Sequence, residues 1–273
     1  MLKILSVAYL ICTVHALQSQ SVHTLIGSRA QGLAYASACL EDEWSVFNNV
    51  AGMATVKQMT AGFTYASHPS LTSFNRMAAV FVTPVPLGTV AAGIYRFGDD
   101  LYSEQLLVAG YANSFGLASL GMKVQYVQYR TEGYGTASAV SLSFGGIARI
   151  TSNLAVGAHI MNVTQPEIAT EDKERLPVIL TAGVSFTPSE KLFLTTEIEK
   201  DLDYDFTWKS AFEYRPLKKF VFRSGFNIRP DAGFIGVGFV PTRYTIDYAL
   251  RYQPGFGASH QATVVYQFKA SKK

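Results

Sequence analysis

The feature that most constrains this chain is a two-residue alternation in which the charges keep to one phase. In residues 178–186, Val178, Leu180, Ala182, Val184 and Phe186 share one phase, while Thr181, Gly183 and Ser185 share the other. Leu192, Leu194 and Ile198 then oppose Glu197 and Glu199, and Phe206, Trp208, Phe212 and Tyr214 oppose Lys209, Glu213 and Arg215. Phe220, Phe222, Phe226 and Ile228 oppose Arg223, Asn227 and Arg229; Tyr244, Ile246, Tyr248, Leu250 and Tyr252 oppose Asp247 and Arg251. A last run sets Ala262, Val264, Tyr266 and Phe268 against Gln261, Thr263 and Gln267. Successive side chains of a strand point to opposite faces, so each run is a strand with one apolar and one polar face.

Turn chemistry separates the runs at Pro84-Val85-Pro86, Gly98-Asp99-Asp100, Ser114-Phe115-Gly116, Pro188-Ser189, Pro216-Leu217-Lys218, Pro230-Asp231 and Pro254-Gly255. With weaker segments near Thr60, Val80, Val90, Val108, Val124, Val140 and Val156 included, the count comes to about fourteen strands. A soluble sandwich would turn its polar face outward. Here the apolar phase carries rows of Phe, Tyr and Trp, as an aromatic girdle requires, which predicts an all-β fold: a closed antiparallel transmembrane barrel. An Arg or Lys facing mid-bilayer lipid costs about 2–4 kcal/mol, so the polar phase must face the lumen. Glu197, Glu199, Lys209, Glu213, Arg215, Arg223, Arg229, Asp247 and Arg251 mix signs on neighbouring strands and are expected to pair there as a packed charge network.

Composition agrees. Charged residues are 16% of the chain and aromatics 13%, against about 25% charged in soluble domains. No stretch after the N-terminus approaches the roughly 18 apolar residues of a membrane helix. The formal charge of +3 comes from Lys and Arg dispersed singly through the chain, so neither a nucleic-acid nor an anionic-lipid reading gains support from it. The terminal Lys269-Ala270-Ser271-Lys272-Lys273 is expected to be a solvated tail.

The first residues have a signal-peptide layout: Lys3, an apolar run to Ile11, then Val14-His15-Ala16 with cleavage expected after Ala16. Ile11 before Cys12 is too bulky for a lipobox. Cleavage leaves Cys39 as the lone cysteine, without a disulfide partner; it reads as a small buried hydrophobe. The expected organisation is a signal peptide over residues 1–16, an N-terminal hatch over 17–57 and a barrel over 58–273.

Residues 25–56 alternate at no period. They are rich in Gly and Ala up to Ala36, then carry the acidic Glu41, Asp42 and Glu43, expected either to meet interior arginines or to form a solvated turn. Barrels of about eight strands fill with their own side chains, and those of sixteen leave a channel; at fourteen, this segment is the candidate plug. Gly27-Ser28-Arg29-Ala30, followed by Asp42-Glu43-Trp44-Ser45-Val46-Phe47-Asn48-Asn49-Val50-Ala51-Gly52-Met53, resembles the start of the FadL-like and PorV/PorQ-type outer-membrane proteins. The motif centres on Asn48, Asn49, Ala51 and Gly52, with Val50 standing where that family has Pro, a change expected to loosen the turn. Arg175-Leu176-Pro177 leading into Ala182-Gly183-Val184-Ser185 is similar to a second PorV/PorQ pattern. The resemblance implies a fourteen-stranded barrel with a hatch, in the outer membrane of a Bacteroidetes-type cell.

Catalytic patterns are missing: there is no Gly-x-Ser-x-Gly elbow, His-Glu-x-x-His, cysteine cluster or phosphate-binding loop. Gly255-Phe256-Gly257 reads as a turn, Ser259-His260 lacks a partner carboxylate, and His159 reads as a lumen residue. The chain is therefore expected to be non-catalytic, without cofactor or metal, and in contact with outer-membrane lipid. Two functions follow from the resemblance. The first is an accessory subunit that docks a larger secretion or assembly complex, favoured by the short loops, of which residues 164–176 form the longest. The second is a FadL-like conduit for small hydrophobic molecules.

Overall fold

A computed structural model describes residues 25–168, 175–202 and 205–269; the expected signal peptide, Cys12 and all but the first residue of the terminal tail lie outside them. Fourteen strands close into one antiparallel barrel, each paired with its sequence neighbours and the first with the last. The strands are β1 (Thr60–Ser67), β2 (Arg76–Val85), β3 (Gly88–Gly98), β4 (Tyr102–Phe115), β5 (Ala118–Thr131), β6 (Gly135–Arg149) and β7 (Leu154–Met161). They continue with β8 (Ile179–Ser189), β9 (Leu192–Asp201), β10 (Thr207–Leu217), β11 (Phe220–Ile228), β12 (Ala232–Phe239), β13 (Tyr244–Gln253) and β14 (Gly257–Gln267). The closing seam runs from Thr60 opposite Gln267 to Ser67 opposite His260. Closure leaves no strand edge unpaired, which is what lipid demands of a sheet.

The pleat sorts the side chains as the alternation predicts. Val184, Phe186, Ile198, Trp208, Phe212, Phe222, Phe226, Ile246 and Tyr248 are exposed on the outside, whereas Glu197, Lys209, Glu213, Arg223, Asp247, Gln261 and Thr263 are buried inside. Aromatic rings gather near the rim where β14 ends, with Phe220 and Phe239 centroids 5.1 Å apart, Tyr244 and Tyr266 5.0 Å, and Tyr266 and Phe268 4.9 Å. Trp208 and Phe226 pair at 6.4 Å toward the other rim. Two aromatic bands flanking an apolar belt are the mark of a membrane-spanning barrel.

Depth matters as much as facing. Leu180 lies opposite Lys200, an exposed outward cation, so this level belongs to the headgroups. Val184, opposite Thr196 and Val156, lies deeper. Val184→Arg is therefore expected to cost about 2–4 kcal/mol and to depress assembly sharply, while Leu180→Arg costs under about 1 kcal/mol. Folded yield read by heat-modified mobility on gels checks this; equal yields for the two variants would refute the depth assignment.

On the near rim, where β1 begins and β14 ends, the connections are two to four residues; the other rim carries the longer ones, the pattern that places short turns in the periplasm. The longest, 162–178, folds inward rather than outward at its ends. Asn162 ends β7 in the left-handed region at φ 57°. Its carboxamide accepts from Gln125 Nε2 at 2.7 Å and Ser141 Oγ at 2.8 Å, and donates to the Pro177 carbonyl at 2.9 Å. Leu176 and Val178 are buried as a result.

Candidate functional site: the hatch and the cavity above it

Residues 25–56 lie inside the barrel as a short helix α1 (Ser28–Gly32) and two 3-10 turns, Glu43–Val46 and Val50–Thr55. Leu33, Ala34, Ala36, Val46 and Ala51 have no exposed surface. Asp42 caps the first turn, its carboxylate accepting from Trp44 N at 3.0 Å.

The hatch touches the wall on every side. One half of the contact is apolar: Trp44, Val46, Phe47, Val50 and Met53 pack on Val80, Val82, Ala91, Tyr95, Leu106 and Val108 of β2–β4. Lumen-facing glycines let backbone approach backbone elsewhere. A Cβ on Gly157 would stand 2.0 Å from the Ala38 carbonyl oxygen, one on Gly145 would stand 2.0 Å from Asn49 Oδ1, and one on Gly121 would meet the Ala51 amide at 2.9 Å. A strand glycine under a close backbone approach is a positional requirement rather than a flaw.

Hydrogen bonds complete the seating. Ser28 N donates to Thr263 Oγ1 at 3.0 Å, the Ala38 amide to Glu197 Oε2 at 2.7 Å, and Lys123 Nζ to the Phe47 carbonyl at 2.7 Å and the Asn48 carbonyl at 3.3 Å. Within the hatch, Asn48 bonds both the amide and the carbonyl of Ile26, at 3.1 and 3.0 Å. Asn49 donates to Ala38 O at 2.6 Å and Gly146 O at 3.2 Å and accepts from Ala51 N at 3.2 Å. The turn that begins at Val50, where the resemblance expects Pro, is capped by the Asn49 side chain. A Cβ on Gly52 would collide with Leu40 O at 2.1 Å.

The nine lumen charges divide. Lys209 bonds Glu197 at 2.9 Å and Glu199 at 2.7 Å; Arg223 bonds Glu213 at 2.7 Å and Asp247 at 2.6 Å, all buried. Arg215 touches them only from the edge, 3.7 Å from Glu213, and Arg229 does not join them. A register shift between Tyr214 and Leu217 carries Arg215 to the near rim, half-exposed. Arg229 lies beyond β11 at φ 61°, exposed, 3.8 Å from Asp205. Arg251 faces the lumen but makes no ion pair among the described residues.

Two of the acidic trio do meet arginines. Glu41 pairs with Arg149 at the near rim and Asp42 with Arg29 of its own segment. The hatch also sends a cation to the wall: Arg29 Nε donates to Glu213 Oε2 at 3.0 Å. Sequence reading missed Arg29, and also Lys123, whose inward phase with Ser119 and Gln125 was the available signal.

Cys39 is buried and unbridged, with Sγ 3.5 Å from the Gly183 carbonyl. Burial pushes its thiol up to about 11, so at neutral pH the unreactive protonated form dominates. A maleimide should leave Cys39 unmodified in the folded barrel at pH 7 and modify it fully after denaturation; rapid labelling of the folded protein would show an unseated hatch. His159 is buried in the lumen, and among the described residues no group of three His, Cys, Asp or Glu side chains could hold a metal. Ser259 lines the cavity described next, while His260 points the other way and contacts Tyr248 Oη through Nδ1 at 2.5 Å. Gly255 and Gly257, both at positive φ, form the β13–β14 turn.

Above the hatch, at the rim opposite the start of β1 and the end of β14, the barrel holds a cavity of about 840 Å³. Leu25 and Tyr35 of the hatch lie at its base. Leu71, Phe74, Phe97, Ile179 and Phe256 give it an apolar wall, and Arg76, Glu199, Lys209 and Arg251 a charged one. Among the described residues, the buried Tyr95 hydroxyl and Arg251 Nε have no hydrogen-bond partner. A mostly apolar cavity of this size with a few convergent polar groups is the usual form of a small-molecule site.

No family model matches the chain, and no curated protein does. Solved structures do. A mutant of the TodX monoaromatic hydrocarbon channel is 11% identical with a TM-score of 0.65, over 89% of this chain and 99% of that one. The CymD monoaromatic hydrocarbon channel is 12% identical with a TM-score of 0.65, over 93% and 100%. A FadL homologue from Pseudomonas aeruginosa is 14% identical with a TM-score of 0.61, over 91% and 100%. At these identities the likeness is one of fold, and the chain shares its closed barrel with proteins two of which are named as channels.

Proposed function

We propose that this protein is an outer-membrane conduit for small, predominantly apolar molecules that carry at most one polar end. The observation that carries this reading is the cavity of about 840 Å³, within the roughly 300–1,000 Å³ of small-molecule sites. An aromatic wall faces it, and Arg76 and Arg251 stand beneath without an ion-pair partner among the described residues. An open water-filled porin would not need that wall. The fold shared with two hydrocarbon channels supports the same reading. Service as an accessory subunit of a PorV/PorQ-type secretion complex, the first expectation from the sequence, draws no support from the cavity or from those likenesses.

Uptake of radiolabelled toluene by cells producing the protein tests this directly. Entry is expected to exceed that of cells with the empty vector and to fall back when Phe97→Asp puts a carboxylate on the apolar wall. Equal uptake in producing and control cells, with the barrel verified as folded by heat-modified mobility, would refute the conduit.

A further inference from the structure

The near rim carries a feature that neither the hatch nor the cavity uses. Three neighbouring hairpin turns, β8–β9, β10–β11 and β12–β13, bear Lys191, Lys218, Lys219 and Arg243, all exposed. Arg215 adjoins them and Lys269 follows β14. The turns are laced edge to edge: the Arg215 amide donates to the Lys191 carbonyl at 2.8 Å, Val240 to Lys219 at 2.8 Å and Gln267 to Arg243 at 2.9 Å. The cations therefore form one continuous arc rather than scattered surface charges.

Carboxylates are scarce there. Glu190 is the single one in these turns. Glu213, 3.7 Å from Arg215, is already committed to Arg29 and Arg223 at 3.0 and 2.7 Å. The opposite rim over the same strands mixes Asp201, Asp205, Arg229 and Asp231, and the turns across the barrel present Leu87 and Leu117 instead of charge. Solubility alone would not gather four exposed cations and a single carboxylate into three adjacent turns.

Position supplies the chemistry of the partner. On the outer wall just above the arc sit Tyr214, Phe220, Phe239, Tyr244, Tyr266 and Phe268, all but Tyr266 at least a third exposed. Aromatic side chains settle at the boundary between acyl chains and headgroups, so cations one turn beyond them lie at the level of the phosphates. We propose that this arc binds the anionic headgroups of phospholipids in the periplasmic leaflet, with the aromatic band packing on their acyl chains. The proposal rests on the barrel spanning a bilayer and is independent of what passes through the cavity. It would fix the barrel's rotation and height relative to the leaflet.

The test uses the whole mature chain, purified and placed in nanodiscs of phosphatidylcholine with or without phosphatidylglycerol, and reads co-retained lipid by native mass spectrometry. Wild-type protein is expected to enrich phosphatidylglycerol by about fivefold or more, since each basic residue at an anionic surface contributes about that factor. K191Q/K218Q/K219Q/R243Q should bring enrichment close to parity, whereas exchanging the three lysines for arginine should preserve it. Heat-modified mobility confirms that both variants fold, as exposed turn residues should allow. Equal enrichment in wild type and the glutamine variant would overturn the proposal. So would loss of enrichment in excess inorganic phosphate at matched ionic strength, because the arc would then prefer a soluble anion to a lipid.

Discussion

Lys209→Met is expected to cost about 3–5 kcal/mol of barrel stability, because it strands two buried carboxylates beside each other. Lys209 bridges Glu197 and Glu199 at 2.9 and 2.7 Å, and all three are almost wholly enclosed. Glu197 also receives the Ala38 amide at 2.7 Å, so its charge anchors the hatch as well as the wall. Without the ammonium, one carboxyl must take a proton or water must enter, and either change loosens the Ala38 contact. Urea unfolding of the refolded protein in lipid, followed by intrinsic fluorescence, measures the loss. The triple variant K209M/E197Q/E199Q should recover most of it, since neutral amides can share hydrogen bonds without a counterion. A single variant as stable as wild type would mean that the triad contributes little and that water already reaches it.

That triad was legible in the sequence because its strands have a polar interior against an aromatic exterior. Glu197, Glu199 and Lys209 stand in phase opposite Ile198 and Trp208, and period two does the rest. Where the interior is itself apolar the contrast fades. In β2–β4 the inward Val80 and Val108 face the hatch's Trp44, Phe47 and Met53, while the outward Phe81 and Leu107 face lipid, so both phases read alike. Strand β12 hid for a related reason: inward Gly236 and Gly238 leave no polar signal beside outward Ile235 and Val237.

The hatch itself was visible as the stretch that refused to alternate, and Asn48 and Asn49 marked its fold. What the sequence did not reveal was how it is seated. The inward glycines at 93, 121, 145 and 157 are each a close approach waiting for a partner, and a strand glycine is a legible hint of one; naming Phe47, Ala51, Asn49 and Ala38 as those partners requires the closed ring. The cavity is further from reach. Arg76 and Arg251 lie 175 positions apart, and only closure of β1 onto β14 brings their strands to opposite sides of that seam.

Deleting residues 25–56 is expected to turn a nearly silent barrel into a steady pore. Nothing in the strand ladder depends on the hatch: the fourteen pairings run between β1 and β14 without it, and closure satisfies the backbone in lipid. What deletion removes is the lumen's filling. Val80, Val108 and Tyr95 would face water, and Lys123, now bonded to the Phe47 and Asn48 carbonyls, would be hydrated instead. Glu213 keeps Arg223 when Arg29 is lost. The wall therefore loses apolar burial but no buried charge is stranded, and the barrel should still assemble with reduced stability. In a planar bilayer the intact protein should conduct poorly, because hatch residues that fill its lumen, Leu33, Val46, Asn49 and Met53 among them, are packed to zero exposure, while the deletion should give a stable ohmic conductance. A milder variant separates seating from presence: Gly157→Leu drives a side chain into the Ala38 carbonyl, 2.0 Å from even a Cβ, and should yield flickering intermediate currents together with maleimide labelling of Cys39. Large conductance in the intact protein would refute the plug outright. A sealed deletion barrel would show that wall side chains collapse to close the lumen, and a conduit reading would then need another gate.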